Sequence, residues 1–504
     1  MKMKNYSWLS VVGCALIACQ SATAPSPKQT VVSSASNAAV STALPVRGKA
    51  ERTPVSGGPT ILREGIALRK IVTTSNGSIR LAQDPTTGDM YYLNPNQDIY
   101  RISLAGGDQS KATKVFTKND IGTAGTATGM TFGPDGALYV VINDKADTNN
   151  AIAVVRKGMT LGATNGATNG ATNGATNGAS SASRTWSTLV VIGPYPASNT
   201  QFDHQVNGVV ISPDNKWAYI NSGSRTDHGE VQDTKGAFAN TREVPLTTKI
   251  LRVPTTSDKL TLPNDDNVLR REGYIFAEGV RNAYDLAIAP NGDLFGVDNG
   301  PDADYPDELN WLREGRHYGF PWRFGVQDNP QQFATYDPSL DKRLNNDFMA
   351  VKTKSYINDP NFPKPPGKFS DPVVNVGPDA AQYRGDDGSQ RDAASEKKPH
   401  HTFTAHRSPL GLVFANNDMP ADFRPSANQL SAFITSWGSA GGTLSDIGKD
   451  ILHLQLSKKD DNYEMIATQI AKNFKRPIDM VLIKNALYLL EYDPGGAIWE
   501  LVIE

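Results

Sequence analysis

The residues best equipped for chemistry cluster between Gly279 and Trp322, in the run GVRNAYDLAIAPNGDLFGVDNGPDADYPDELNWLREGRHYGFPW. Arg281-Asn282 sets a guanidinium and an amide directly before an alternating strand pattern (Leu286, Ile288). Arginine matches carboxylates bidentately, so the pair suits an anionic, carbonyl-rich ligand. The plain alternative is a surface arginine paired with an Asp or Glu. A Pro290-Asn291-Gly292 turn and a second strand (Leu294, Phe295, Val297) follow, then Gly300-Pro301 and the acidic residues Asp302, Asp304, Asp307 and Glu308. Acidic loops are common, so by itself this run is equally a set of solvated acids after an ordinary Gly-Pro turn. Upstream, His204 lies in Asp203-His204-Gln205, just before the apolar Val209-Val210-Ile211. Histidine titrates near neutrality, and one at the mouth of a strand can take a proton from a hydroxyl group; a histidine capping a strand edge would look the same.

A repeated pattern indicates what positions these groups. A Pro-containing tight turn followed by a β-rich run occurs at Pro85-Thr86-Thr87-Gly88, Pro134-Asp135-Gly136, Pro213-Asp214-Asn215 and Pro290-Asn291-Gly292. Degenerate copies lie at 412–434 and 480–490. Pro with Gly or Asn supplies the turn dihedrals, and alternating β-branched and aromatic residues supply half-buried strands. The spacing is that of propeller blades carrying loop insertions. Six copies predict an all-β, six-bladed β-propeller over 59–504, each blade a four-stranded antiparallel sheet; the alternative is a β-sandwich with long loops. Long helical patterns are nearly absent. Residues 326–400, rich in Pro and charge, read as an irregular insertion. The last strand, Ile498-Trp499-Glu500-Leu501-Val502, is expected to close the ring with strands near the N-terminus, leaving no open edge.

Outside the propeller, residues 1–18 read as a signal peptide. Lys2 and Lys4 precede an apolar core from Trp8 to Ile17 that is too short to span a bilayer. Leu16-Ile17-Ala18-Cys19 resembles a bacterial lipobox, with Cys19 as the lipidated residue, and Gln20 after it resembles an outer-membrane address. The other reading is an ordinary signal peptide with a chance cysteine. Residues 19–58, rich in Ser, Ala, Thr and Pro, read as a flexible tether. The Gly-Ala-Thr-Asn repeat within 162–182 holds no side chain that can build a core and reads as a disordered loop. Cys14 and Cys19 are the only cysteines, which excludes a disulfide framework and a thiolate site in a chain lipidated at Cys19. The formal net charge of −2 gives no sign of a nucleic-acid partner.

The run from Gly279 to Trp322 resembles the soluble, pyrroloquinoline quinone (PQQ)-dependent glucose dehydrogenase and sorbosone dehydrogenase family of six-bladed propellers. That family's pattern is roughly R-N-P-Q-G-L-A-F, a P-x-G turn, x-G-P, D-E-[LI]-N and N-Y-G-W-P. Here Ala283-Tyr284-Asp285 replaces Pro-Gln-Gly, and Phe320 replaces the Trp. The resemblance implies that His204 is the general base and that Arg281 and Asn282 contact PQQ, which carries carboxylates. It implies that the carbonyls at Gly300 and Pro301 bind a Ca²⁺ that also holds PQQ, and that Glu308 helps hold a structural calcium. Arg476, in Lys475-Arg476-Pro477-Ile478-Asp479, would reach the cofactor from the opposite side, or be a salt-bridged blade arginine. Three departures stand out. Ser224 occupies the place of the Asp that orients the base, although Asp227 is near; no Gln precedes Gly129; and no Lys lies within 436–441.

The expected activity is oxidation of a sugar or polyol, with His204 removing the hydroxyl proton while hydride passes to PQQ, and electrons leaving to an acceptor the sequence does not identify. A non-enzymatic envelope propeller binding a glycan or protein is a second reading, which the departures favour. A calcium-dependent lactonase using Asn207, Asn282 and Asp298 is a third.

Overall fold

The computed structural model describes residues 58–504 except 76, 104–109, 161–182, 199, 440 and 494. The expected signal peptide, Cys19, all but the last residue of the tether, and the Gly-Ala-Thr-Asn loop therefore lie outside the described residues.

Six sheets form a β-propeller, as the repeat predicts. The first blade runs through Arg80–Gln83, Met90–Leu93, Ile99–Ser103 and Lys111–Phe116. The second begins at Thr126–Phe132, the third at Val206–Ile211, the fourth at Ala287–Ile288, the fifth at Pro409–Phe414 and the sixth at Pro477–Ile483. All six sequence copies mark the same joint, the step from a blade's first strand to its second. Thr86-Gly88, for instance, joins Gln83 to Met90, which pair across the hairpin. Described helices are short: Lys118–Ile121, Asp266–Arg271 and Met349–Lys352.

The blades are less uniform than four strands apiece. Blade four has three strands, Ala287–Ile288, Leu294–Asp298 and Glu308–Leu312. The chain leaves that sheet directly into the 326–400 insertion, which spends one segment, Val374–Pro378, as a parallel strand on the outer edge of blade five. Blade two gains Leu260–Leu262 as a parallel edge strand in the same way. Closure is as expected: Ile66–Thr73 pairs antiparallel with Ala497–Ile503, so the sixth blade is built from both ends of the propeller.

Adjacent blades bury their faces against each other. Met90 and Tyr92 of the first pack with Leu138, Val140 and Ile142 of the second, and Phe433 and Ile451 of the fifth with Leu487, Leu489 and Trp499 of the sixth. First strands of neighbouring blades touch around the axis. They share one direction, as radial blades require, so their N-terminal ends open on one face. The second strands run back and end on that face. His204, Arg281, Asn282, Ser408 and Arg476 precede first strands, while Ser222, Asp298 and Ser436 end second strands. The topology thus gathers the chemically capable residues at one mouth.

Below the mouth the axis is filled. Arg80 of blade one, buried in an otherwise apolar Ile79-Arg80-Leu81-Ala82 run, reaches blade four. Its guanidinium lies 3.4 Å from the centroid of the Tyr284 ring and donates to the Tyr284 carbonyl, and the Tyr284 hydroxyl donates back to the Ile79 carbonyl at 2.7 Å.

Candidate active site

His204, Arg281 and Asn282 meet around Gly223-Ser224, the segment that leaves the second strand of blade three. Ser224 N donates to the Arg281 carbonyl (2.5 Å), and His204 N donates to the Ser224 carbonyl (2.9 Å). Gly223 sits where they converge: a Cβ there would lie 2.7 Å from His204 Cβ and 3.1 Å from Asn282 Oδ1. Gly223→Ala is accordingly expected to lower stability by about 1–3 kcal/mol through overpacking, read as a lower denaturation midpoint; an unchanged midpoint would show that the junction is loose.

The His204 ring is oriented by Ser224. Nδ1 lies 3.0 Å from Ser224 Oγ and 3.1 Å from the Ser224 carbonyl. The Ser224 hydroxyl donates its own proton to the Thr226 carbonyl at 2.7 Å. Both groups facing Nδ1 are therefore acceptors, so Nδ1 carries the proton and Nε2 is the basic nitrogen of the neutral ring. Asp227 does not take the orienting part that its proximity in sequence suggested.

Asp227 instead pairs with Arg281. Arg281 Nη2 lies 2.6 Å from Asp227 Oδ1, and Nε donates to the Asp227 carbonyl at 2.6 Å. Both side chains are buried. The carboxylate also accepts from His228 Nδ1 (2.8 Å) and from Asp302 N (3.1 Å). Burial works to raise the pKa of Asp227, but the Arg281 guanidinium and the bond from His228 outweigh it and hold the group at about 2. His228 stacks on Tyr356 of the insertion, with centroids 3.7 Å apart, so the insertion roofs this ion pair.

The acidic run after Gly300 is buried and partnered rather than solvated. Asp302 accepts from Ala350 N of the insertion (2.9 Å). Asp304 binds His406 (3.0 Å) and Arg384 (2.8 Å). Asp307 accepts from Gly300 N and Ser408 N, both at 2.9 Å, tying the Gly300-Pro301 turn to blade five. Burial pushes Asp307 up to about 7. Pro301's carbonyl accepts from Ala303 N (2.7 Å). Gly300 and Glu308 border one small cavity of about 10 Å³, together with Arg281, Asp298 and Asn299. Asp298 and Glu308 face each other across the strand pair. Burial, then the neighbouring Asp298, raises Glu308 to about 8, and burial raises Asp298 to about 6.

Arg476 stands apart from this group. It is exposed on blade six, 3.4 Å from Asp493 and 5.3 Å from the Trp437 ring centroid. In blade five, where the sequence has no Lys within 436–441, the fully buried Arg407 donates to Ser436 Oγ (3.3 Å) and to Asp450 (2.5 Å). Asn207, Asn282 and Asp298 do converge. Asn207 Nδ2 donates to Asn282 Oδ1 (2.8 Å), and Asp298 accepts from the backbone N of Arg281 (2.7 Å) and Asn282 (2.8 Å). Among the described residues, no group of three or more His, Cys, Asp or Glu side chains is arranged to hold a metal ion.

Residues 110–338 match the family model described as Glucose / Sorbosone dehydrogenase. Over 157 residues the chain is 28% identical to quinoprotein glucose dehydrogenase B of Acinetobacter calcoaceticus, a match covering 28% of this chain and 31% of that protein. The chain thus spans less than a third of the length of the curated relative it matches. Among solved structures, the soluble aldose sugar dehydrogenase of Escherichia coli in its apo-form is 14% identical, with 87% of this chain and 100% of that chain covered and a TM-score of 0.51. A glucose dehydrogenase is 13% identical, with 86% and 99% covered and a TM-score of 0.50. Both likenesses are of fold. The matched stretch, similar to the glucose/sorbosone dehydrogenase family over just under half of the chain, includes His204, Arg281, Asn282, Gly300, Pro301 and Glu308, and the six blades make the chain a β-propeller.

Proposed function

We propose that this protein oxidises an alcohol carbon of a sugar or polyol with PQQ as cofactor. The observation that carries the reading is the His204 tautomer: Nδ1–H is held by Ser224, which makes Nε2 the proton acceptor, beside the Arg281-Asn282 pair at the mouth. The relative's name, a quinoprotein glucose dehydrogenase, supports the cofactor and the substrate class. When bound, PQQ supplies an electrophilic quinone carbon that accepts hydride.

The polar groups of the mouth suit such a ligand in kind. Among the described residues, Ser222 Oγ, Asn299 Oδ1 and Ser408 Oγ, all buried there, meet no hydrogen-bond partner, which is costly unless a ligand or water satisfies them. Two hydroxyl donors, Asn282 and Arg281 would hold carbonyl and carboxylate oxygens. Arg281 would share its charge between Asp227 and a ligand carboxylate, while His204 Nε2 takes the hydroxyl proton. Arg476 would add a cation from blade six. Calorimetry of the purified protein with PQQ, beside a Ser408→Ala, Asn299→Ala double variant, tests this. The expected outcome is binding that the variant weakens. Absence of binding with Ca²⁺ present would sink the proposal and favour a glycan- or protein-binding propeller, for which an Arg281 already neutralised by Asp227 is the supporting observation.

Calcium belongs to the same proposal. The cavity beside Gly300 has room for about one water-sized occupant, and its acidic neighbours Asp298 and Glu308 offer the oxygen ligands a hard cation takes, with backbone carbonyls to complete the set. The pH dependence follows from the raised values. Asp298 and Glu308 in the folded chain hold protons that the unfolded chain has lost, so without metal their contribution is full below the ordinary carboxylate range. It is lost as pH rises through about 6 and then about 8. Ca²⁺ binds the deprotonated pair, so it should raise the thermal midpoint more at about pH 9 than at about pH 5, on either side of those two values. Glu308→Gln should remove both the alkaline loss and the calcium effect. Equal calcium effects in wild type and variant would place the ion elsewhere.

The lipoprotein address at Cys19 would put the reaction at the bacterial envelope, tethered to the outer membrane. Cys19→Ser should then move the protein from the membrane to the soluble fraction on cell fractionation.

A further inference from the structure

A cavity of about 940 Å³ lies away from the mouth. It is a cleft between the blade-three loop at 230–242 and the insertion at 349–361, with Gln201 and Phe202 at its side. A buried column divides it from Arg281. Glu230 in the cleft wall lies 3.5 Å from His228, His228 lies 2.8 Å from Asp227, and Asp227 lies 2.6 Å from Arg281.

The walls are set firmly. Arg225, fully buried, spends its guanidinium on the carbonyls of Pro196 (2.9 Å), Ala197 (3.0 Å), Gln232 (2.9 Å) and Arg242 (2.6 Å), which fixes the course of the 225–242 loop. Arg242 then bridges to Asp359 on the opposite wall at 2.6 Å. A cleft pinned on both sides is ready for a ligand without the ordering cost of closing around it.

Its chemistry narrows the ligand. The charges largely cancel inside the cleft: Arg242 is paired with Asp359, and Glu230 accepts from Asp227 N (2.9 Å), His228 N (2.8 Å) and Gln232 Nε2 (2.7 Å). Among the described lining residues, Lys354 is the charge left at the rim. What is offered to a ligand is neutral and polar, from Gln201, Asn240, Asn361 and Thr353, together with Val231 (40% exposed), Met349 (40%) and Ile357 (49%). Amides and hydroxyls beside exposed aliphatic side chains complement a molecule that alternates hydroxyl groups with C–H faces. The volume lies near the top of the range of about 300–1,000 Å³ typical of small-molecule sites, more than one sugar ring needs.

We infer that this cleft binds a neutral oligosaccharide of more than one ring. The inference does not rest on the redox reading, because the cleft is formed by residues that the proposed oxidation does not use.

The test is calorimetric titration of the full chain with maltotriose, cellotriose, glucose and trigalacturonate, beside Met349→Lys and Ile357→Asp. Both positions are solvent-exposed, so the thermal midpoint should stay unchanged and report that the variants are folded. At least one neutral trisaccharide should bind, with glucose weaker by about tenfold and each variant weakening the trisaccharide by about tenfold. PQQ binding should be the same in wild type and both variants. No binding of either neutral trisaccharide, binding that neither variant weakens, or a preference for trigalacturonate would each overturn the inference.

Discussion

Asp227→Ala is expected to cost the fold about 3–5 kcal/mol, the penalty for leaving a buried charge without its partner. The pair is enclosed: Asp227 is 0% and Arg281 3% exposed. Removing the carboxylate strands the guanidinium and also frees His228 Nδ1 and Asp302 N, which donate to the same group. Denaturant unfolding checks this, and a double-mutant cycle with Arg281→Ala separates the pair from its surroundings. The double variant should lose clearly less than the sum of the single ones. An Asp227→Ala protein within about 1 kcal/mol of wild type would show that the pair is solvated.

His204→Ala should lower dye-linked sugar oxidation by about 100- to 10,000-fold, the usual contribution of a positioned general base. PQQ binding should be retained, because in the proposed reaction the imidazole acts on the hydroxyl proton. Ser224→Ala should give a smaller loss with a changed pH profile: the Ser224 carbonyl still accepts from Nδ1, but the hydroxyl that shares the tautomer assignment is gone. Turnover in His204→Ala within about threefold of wild type would remove His204 from the chemistry.

How far the sequence reached depended on whether a signal was local. The four Pro-containing turns and their two degenerate copies are local signals, because turn dihedrals are set by adjacent residues, and each marks the first hairpin of a blade. The proximity of His204, Arg281 and Asn282 follows from that topology, as all three precede first strands. What stayed hidden is pairing over distance. Asp227 and Arg281 are 54 residues apart and belong to different blades, and no local pattern announces that they neutralise each other. The acids Asp302, Asp304 and Asp307 read as a loop, which they are, but their partners come from the insertion and blade five, and Glu308 opens a strand of blade four. Arg80 did leave a trace, as a lone charge in an apolar strand, and the cross-axis contact with Tyr284 explains it. Blade four's missing fourth strand was not legible, because nothing in its sequence indicates that the insertion serves blade five.

The sixth blade has a consequence for the order of assembly. Among the described residues, Ile66–Thr73 finds its strand partner in Ala497–Ile503, which is made after the other five blades. During synthesis the chain must carry an unpaired, partly apolar strand through the emergence of five blades. Contacts of such long sequence separation form slowly, and an unpaired strand is open to pairing with another molecule meanwhile. The growing protein is therefore most vulnerable to aggregation until residues 486–503 have emerged, and substitutions that slow the hairpin they form should reduce the yield of folded protein more than they reduce the stability of what folds.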